Sequence, residues 1–252
     1  MLVAQRHQLI LELLEQKNAI KIEDLKPLFP VSESTLRNDL RYLEEKKKLR
    51  RSHGGAIKIQ TNQETSFQQR TYSFKSEKEN IGKAAAGLIR PDETIFLDAG
   101  TTVMELANNL PETFEFNIVT PSLTAAMAAG NHTNISVHLV GGVLRHSLQE
   151  LVGPKAVQGF LEVSAQKVFL GASGLSFERG VSENHVFSAE VKKAMVASAE
   201  EVILLLDSSK IGKSYLMELL PLTKLDRIVT DSNISDQNYQ KLVELGIQVL
   251  IA

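Results

Sequence analysis

A chain of 252 residues, 43% hydrophobic and 23% charged, has the composition of a soluble globular protein, with room for one large domain or a small one joined to a medium one. The absence of cysteine excludes disulfides, thiolate catalysis and thiolate metal sites, and the six histidines show no paired helical spacing such as H-E-x-x-H, so no metal centre and no cofactor is expected. The net charge of -2 does not by itself favour nucleic acid, yet it is unevenly divided: residues 1–60 hold 12 Lys/Arg against 8 Asp/Glu, and residues 61–252 hold 16 against 22.

No apolar run approaches the length of a membrane span, the longest being a short piece around Val202 to Leu206. The N-terminus also lacks the apolar segment of a signal peptide, so a cytoplasmic protein is expected. Arg6 to Gln16 carries Leu9, Ile10, Leu13 and Leu14 on one face and predicts a first helix. Asn18 to Lys21 breaks it. A second helix is expected over Glu23 to Leu28 with Leu25, Leu28 and Phe29 inward, despite Pro27 inside it, and Pro30 ends it.

The third helix, expected over Val31 to Arg41, organises this half. Ser32 suits its N-cap, where a hydroxyl accepts from an otherwise unpaired N–H of the first turn. Leu36, Leu40 and Leu43 fall at helical spacing and face inward, Ser34, Asn38 and Arg41 project opposite, and Thr35 and Arg37 flank them. Such a face fits the major groove of DNA, where Asn, Ser and Arg hydrogen-bond base edges or phosphates. On this stretch alone an ordinary amphipathic surface helix is an equal reading. The neighbours decide: five basic residues within Lys46 to Arg51, a Gly54-Gly55 turn and the alternating Ile57-Lys58-Ile59 form a two-stranded basic wing.

QRHQLILELLEQKNAIKIEDL, VSESTLRNDLRYLEE and LRRSHGGA together resemble the N-terminal signature of the DeoR family of bacterial winged helix-turn-helix regulators. Asn38 stands where the family usually has a second arginine, and Lys47 where it usually has glycine. The resemblance implies contacts to double-stranded operator DNA, with Ser32, Ser34, Thr35, Arg37, Asn38, Arg41, Arg50, Arg51 and His53 as the candidates.

Thr61 to Asn80 is polar and reads as a linker, with helical spacing resuming over Lys83 to Ile89. The expected domains are residues 1–60, a linker over 61–75, and a second domain over 76–252. In the latter, strands are expected at Thr94 to Asp98, Asn117 to Thr120, Ser136 to Val140, Val168 to Ala172, Val202 to Asp207, Arg227 to Thr230 and Gln248 to Ile251. Helices over Val103 to Leu110, Ser122 to Ala129, Ala156 to Leu161, Ser188 to Ala199 and Asp236 to Leu245 lie between them. This alternation predicts a doubly wound α/β domain, its mostly parallel sheet covered on both faces, with ligands outside the carboxyl ends of the strands.

The sharpest such end is IFLDAGTTVMEL, where a buried strand runs into Asp98, turns at Ala99-Gly100 and enters a helix at Thr101-Thr102. Hydroxyls with unpaired helix N–H groups make an anion site, for which phosphate is the expected guest; a capped turn with no ligand is the plain alternative. Thr120 and Ser122, Gly141 and Gly142 with Arg145, Gly171 to Gly174, and Lys210 offer compatible chemistry at other strand ends.

LDAGTT, TPSL, LVGG, FLGASG, RGVSENHVFSAEVKKAM and LLLDSSKIGKS, in that order, resemble the effector domain of the same family, which is similar in fold to ribose-5-phosphate isomerase. That implies Asp98, Gly100, Thr101 and Thr102 on the phosphate of a phosphorylated sugar, Lys210 assisting, and Glu183 or Asn184 on sugar hydroxyls. The expected protein is a homo-oligomeric repressor of a sugar or sugar-alcohol operon, not an enzyme, relieved by that ligand. A sugar-phosphate isomerase with a basic appendage, using Glu183 or Glu190 as base, is one alternative; a sensor whose head binds protein is another.

Overall fold

The computed structural model describes residues 3–17, 19–46, 48–52, 54–57 and 67–252. The chain divides into two units, residues 1–64 and 65–252.

In the first unit, α1 (Val3–Lys17) leads into β1 (Ala19–Lys21), α2 (Ile22–Leu25), α3 (Glu33–Glu45) and the hairpin β2 (Arg50–Ser52) and β3 (Gly55–Ile57). Ile10, Leu14, Ile20, Leu25, Phe29, Leu36, Leu40, Leu43 and Leu49 are among its buried core. Two expected core positions face out: Leu9 is 40% and Leu28 53% exposed. Leu28 does so because α2 is only one turn long. Pro27 has no N–H to continue the ladder, and the Leu28 and Phe29 amides both donate to the Leu25 carbonyl, closing a turn that sends Phe29 inward. The wing is three-stranded rather than two-stranded, in the order β1-β3-β2 with both pairings antiparallel, because Ala19–Lys21 adds itself to β3. Lys58 and Ile59 lie outside the described residues.

The second unit opens with α4 (Phe67–Tyr72) and α5 (Lys75–Ala86). The stretch read as linker is therefore helical over Phe67–Tyr72 and again from Lys75, with a turn at Ser73 and Phe74 between. Its polarity misled because Lys78 is not solvated: it is buried, and its ammonium donates to the carbonyls of Arg70 and Ser73. There follow β4 (Thr94–Leu97), α6 (Thr101–Ala107), β5 (Phe116–Thr120), α7 (Leu123–Ala129), β6 (Ile135–Leu139), β7 (Val143–Arg145), β8 (Glu150–Val152), α8 (Pro154–Leu161), β9 (Ala165–Leu170), β10 (Gly174–Ser176), β11 (Gly180–Glu183), α9 (Val186–Ala197), β12 (Ala199–Leu205), β13 (Met217–Leu220), β14 (Arg227–Thr230), α10 (Asp236–Glu244) and β15 (Gln248–Ile251). No described helix is long and apolar enough to cross a membrane.

All seven expected strands join one parallel sheet in the order β15-β14-β12-β9-β4-β5-β6. Phe96, Val168 and Leu204 pack into one core layer, and Ile95, Leu97, Phe169 and Ile203 into the other, so the period-2 alternation of the central strands β4, β9 and β12 buries both faces. The antiparallel pieces β7-β8 and β10-β11-β13 were not expected; their three- and four-residue strands are too short to show a period. From β4 the chain proceeds to β5 on one side, and from β9 to β12 on the other. The strand order reverses between β4 and β9, the place where sheets of this kind take their ligands at the carboxyl ends of the strands.

Candidate functional site

At that reversal Asp98, 1% exposed, follows the end of β4. Its Oδ2 accepts the Gly171 N–H at 2.9 Å and lies 3.0 Å from the Lys192 ammonium. Its Oδ1 is buried with no hydrogen-bond partner among the described residues. Lys192 comes from α9 and donates also to the Gly171 carbonyl at 2.8 Å and to Glu183 Oε2 at 2.7 Å. Glu183 Oε1 accepts from the Ser173 hydroxyl and, at 2.7 Å, from the Asn184 N–H. One buried cation is thus shared by two buried carboxylates.

The two acids are driven apart by their surroundings. Burial pushes Asp98 up to about 6, more than Lys192 and the Gly171 N–H pull it down. Burial also pushes on Glu183, but there Lys192, Ser173 and the Asn184 N–H outweigh it and hold the carboxyl at about 2. Burial works against the Lys192 charge, and Asp98 and Glu183 outweigh it, holding that ammonium above its ordinary range.

Around this triad lie several other groups named from sequence. Gly100 caps α6 with φ +142, a conformation that glycine alone adopts freely, and a side chain there would meet nothing within 4 Å. Thr101 and Thr102 are buried at the start of that helix. Lys210 donates to the Ala172 carbonyl at 3.1 Å, and burial lowers its pKa. Burial likewise brings Lys78 down to about 8, and the charge on Lys210 adds to that shift, so the two lysines share one field.

Other expected ligand groups have structural duties. The Thr120 hydroxyl donates to the Leu97 carbonyl at 2.7 Å and accepts the Ser122 N–H at 3.1 Å, tying β5 to β4. Ser122 caps α7 through the Ala125 N–H. Arg145 is paired with Glu150 and donates to the Ser188 hydroxyl, rather than standing as a cation beside a loose turn. Gly142 serves backbone packing, since a Cβ there would lie 2.7 Å from the Val152 carbonyl; Gly141 faces open space. The Asn184 side chain is exposed. Glu190 is exposed and pairs with Lys193.

Lys192 was missed by sequence reasoning. A signal exists: Ser188, Ala189, Val191, Lys192, Ala194 and Met195 form the buried face of α9, and a lysine inside such a stripe needs a buried partner.

In the first unit, Ser34, Arg37, Asn38 and Arg41 are exposed along α3. The Ser32 hydroxyl caps the helix by accepting the Thr35 N–H at 3.2 Å and also bonds the Ser34 and Thr35 hydroxyls, so these three are partly committed to one another. Arg37 donates Nε and Nη2 to Glu33 Oε1 at 2.9 and 2.6 Å, and Lys26 holds Glu33 Oε2 at 2.6 Å. On the inner face Asp39 is buried and accepts Arg6 Nε at 2.6 Å and Nη2 at 3.0 Å, with His7 Nε2 at 2.8 Å from the same carboxylate. Arg50 is exposed and Arg51 half-buried on β2. His53 lies outside the described residues.

A three-helix head with a wing, followed in the chain by a parallel α/β unit with a buried charged cluster at its strand-order reversal, defines a class: DNA-binding transcription regulators that carry a sensor domain. The chain belongs to the DeoR family. Residues 6–62 match the DeoR-like helix-turn-helix domain and residues 73–232 the DeoR C terminal sensor domain. It is 34% identical to the uncharacterized HTH-type transcriptional regulator YulB of Bacillus subtilis, over 99% of this chain and 96% of that one. It is 32% identical to the HTH-type transcriptional repressor GlcR of the same organism, over 96% and 93%. Among solved structures, ribose 5-phosphate isomerase A of Methanocaldococcus jannaschii is similar at 18% identity and a TM-score of 0.42, covering 55% of each chain.

Proposed function

We propose that this regulator is a repressor of a sugar or sugar-alcohol catabolic operon, released from its operator by a phosphorylated sugar bound where β4 and β9 end. The observation that carries the ligand class is Asp98 Oδ1, a buried carboxylate oxygen at the strand-order reversal with no hydrogen-bond partner among the described residues. A carboxylate repels phosphate and accepts from hydroxyls. Asp98 therefore takes a sugar hydroxyl, while Thr101, Thr102 and Lys210 meet the phosphate; this reverses the role that the resemblance implied for Asp98.

Release follows if the ligand prefers a state whose DNA-reading heads are badly placed for the operator, since only differential affinity shifts a population. Moving such an equilibrium from 1:99 to 99:1 needs about 5.5 kcal/mol of preference. A symmetric dimer or tetramer would present paired heads to half-sites about one helical turn apart or a multiple of it.

The isomerase alternative fits less well. A general base works best near the operating pH, and Glu183 is held at about 2, while Glu190 is an exposed helix residue paired with Lys193. Turnover of any sugar phosphate by the purified chain would revive it.

The test is a binding assay on the promoter beside the protein's own gene, with a panel of phosphorylated hexoses, hexitols and pentoses. One member of the panel is expected to release the DNA. Thr101→Val should leave DNA affinity intact and blunt that response, because a hydroxyl donor to the phosphate is lost; a normal response removes Thr101 from the pocket. Arg37→Ala should weaken specific binding more than non-specific binding, by about 1–3 kcal/mol, if Arg37 reads a base. Equal losses on both would make it a phosphate contact.

A further inference from the structure

We propose that Glu33 determines sequence selectivity, by presenting the Arg37 guanidinium to a base edge and by withholding Arg37 and Lys26 from the DNA backbone. The proposal rests on the reading that α3 enters the major groove.

An acidic side chain at the entry of a DNA-reading helix is at first sight misplaced, because it faces a polyanion. In the first turn of α3 it is favourable to the helix dipole, but that role asks nothing of its side-chain contacts. Those contacts are specific. Oε1 takes two donors from one edge of Arg37, Nε and Nη2, and Oε2 takes Lys26. All three side chains are exposed, at 39%, 46% and 48%, so the pairs add little to stability and their consequence lies in what the cations can do.

Arginine reads guanine by giving two parallel N–H groups to O6 and N7. With its Nε–Nη2 edge held by Glu33, Arg37 keeps the terminal Nη1–Nη2 edge for such a pair, and its plane is set in advance. Held this way it loses less side-chain freedom on reaching the base. The same carboxylate counts against non-specific binding, which depends on cations releasing counterions from phosphates. A cation already neutralised by its neighbour contributes less to that. Glu33 therefore favours the cognate site over the rest of the genome in two ways at once: a fixed fork for the right base, and muted charge for every other sequence.

The experiment uses the full chain. Cognate duplexes are first selected by the wild-type protein from a randomised pool, and affinities for a selected and a scrambled duplex are then measured from 50 to 200 mM salt. Glu33→Gln keeps the size and polarity of the side chain. It should bind the scrambled duplex more tightly, steepen its log K against log[salt] slope by about 1 to 2, and narrow the cognate-to-scrambled ratio by roughly tenfold. In the double variant Glu33→Gln, Lys26→Met the added slope should fall to about 1, since one freed cation is gone. Equal losses on both duplexes with an unchanged slope would overturn the proposal and leave Glu33 as a dipole partner only. Should the wild-type chain enrich no sequence from the pool, the reading of α3 fails and this inference fails with it, an outcome separable from the first because it precedes any variant.

Discussion

Lys192→Met is expected to lower the stability of the C-terminal unit by about 3–5 kcal/mol, a larger loss than any single hydrogen bond in the cluster would cause. The substitution keeps an unbranched side chain only one atom shorter and removes its charge, leaving Asp98 and Glu183 buried without their shared counter-ion. In a unit of this size that corresponds to a fall in Tm on the order of 10 °C.

The pH dependence distinguishes this cause from simple mispacking. In the wild-type chain Glu183 sits at about 2 against an ordinary 4.5, so its contribution is present above 4.5 and is lost as pH falls towards 2. Asp98 acts in the opposite sense: raised to about 6 from 3.8, it holds its proton more tightly when folded, and stability falls as pH rises through that window. With Lys192 gone both carboxyls hold their protons more tightly, so the deficit of the variant should shrink between pH 7 and pH 5. Adding Asp98→Asn should recover part of the loss at neutral pH. A deficit independent of pH would show that lost packing, and not buried charge, accounts for it.

Arg6→Met is expected to have the second largest effect, confined to the head. Asp39 would remain buried with His7 alone in place of a two-nitrogen arginine pair, a loss of about 3 kcal/mol. A head of some 60 residues buries little surface and has only a few kcal/mol in reserve, so that loss unfolds a large share of it. Hydrogen exchange resolved along the chain should show protection lost from α1 and α3 while β4, β9 and β12 keep theirs, and DNA binding should fall for cognate and scrambled duplexes together. The compensating pair Arg6→Met, Asp39→Leu removes both charges and should restore protection. If the single variant keeps full protection in α3, the buried pair does not hold that helix.

The sheet was legible for a local reason. The central strands β4, β9 and β12 are buried along most of their length and read as short apolar runs, such as the VILLL of β12, and helix-period stretches lie between most of the runs. The turn at Asp98-Ala99-Gly100 was legible for a similar reason, since an acidic residue, a small one and two threonines interrupt an apolar strand at once. The small antiparallel pieces were not: β7 and β10 are three residues long, and only their pairing with β8 and β11 makes them strands. Nor was the burial of Lys78 and Lys192, because a lysine in a polar stretch or beside a second lysine looks solvated until its acceptors are known.

The amino-acid sequence alone determined the seven strands of the parallel sheet, the helices between them, and that a basic reader precedes that sheet, since these depend on periodicities and turn chemistry encoded within a few neighbouring residues. Tertiary structure decided which polar groups remain for a ligand. Thr120 is spent on the Leu97 carbonyl, Arg145 on Glu150, and Asp39 on Arg6, while Asp98 keeps one oxygen without a partner among the described residues. A hydrogen bond between residues far apart in the chain leaves no local pattern, so only the folded arrangement can separate a hydroxyl or charge that binds from one that holds the fold together.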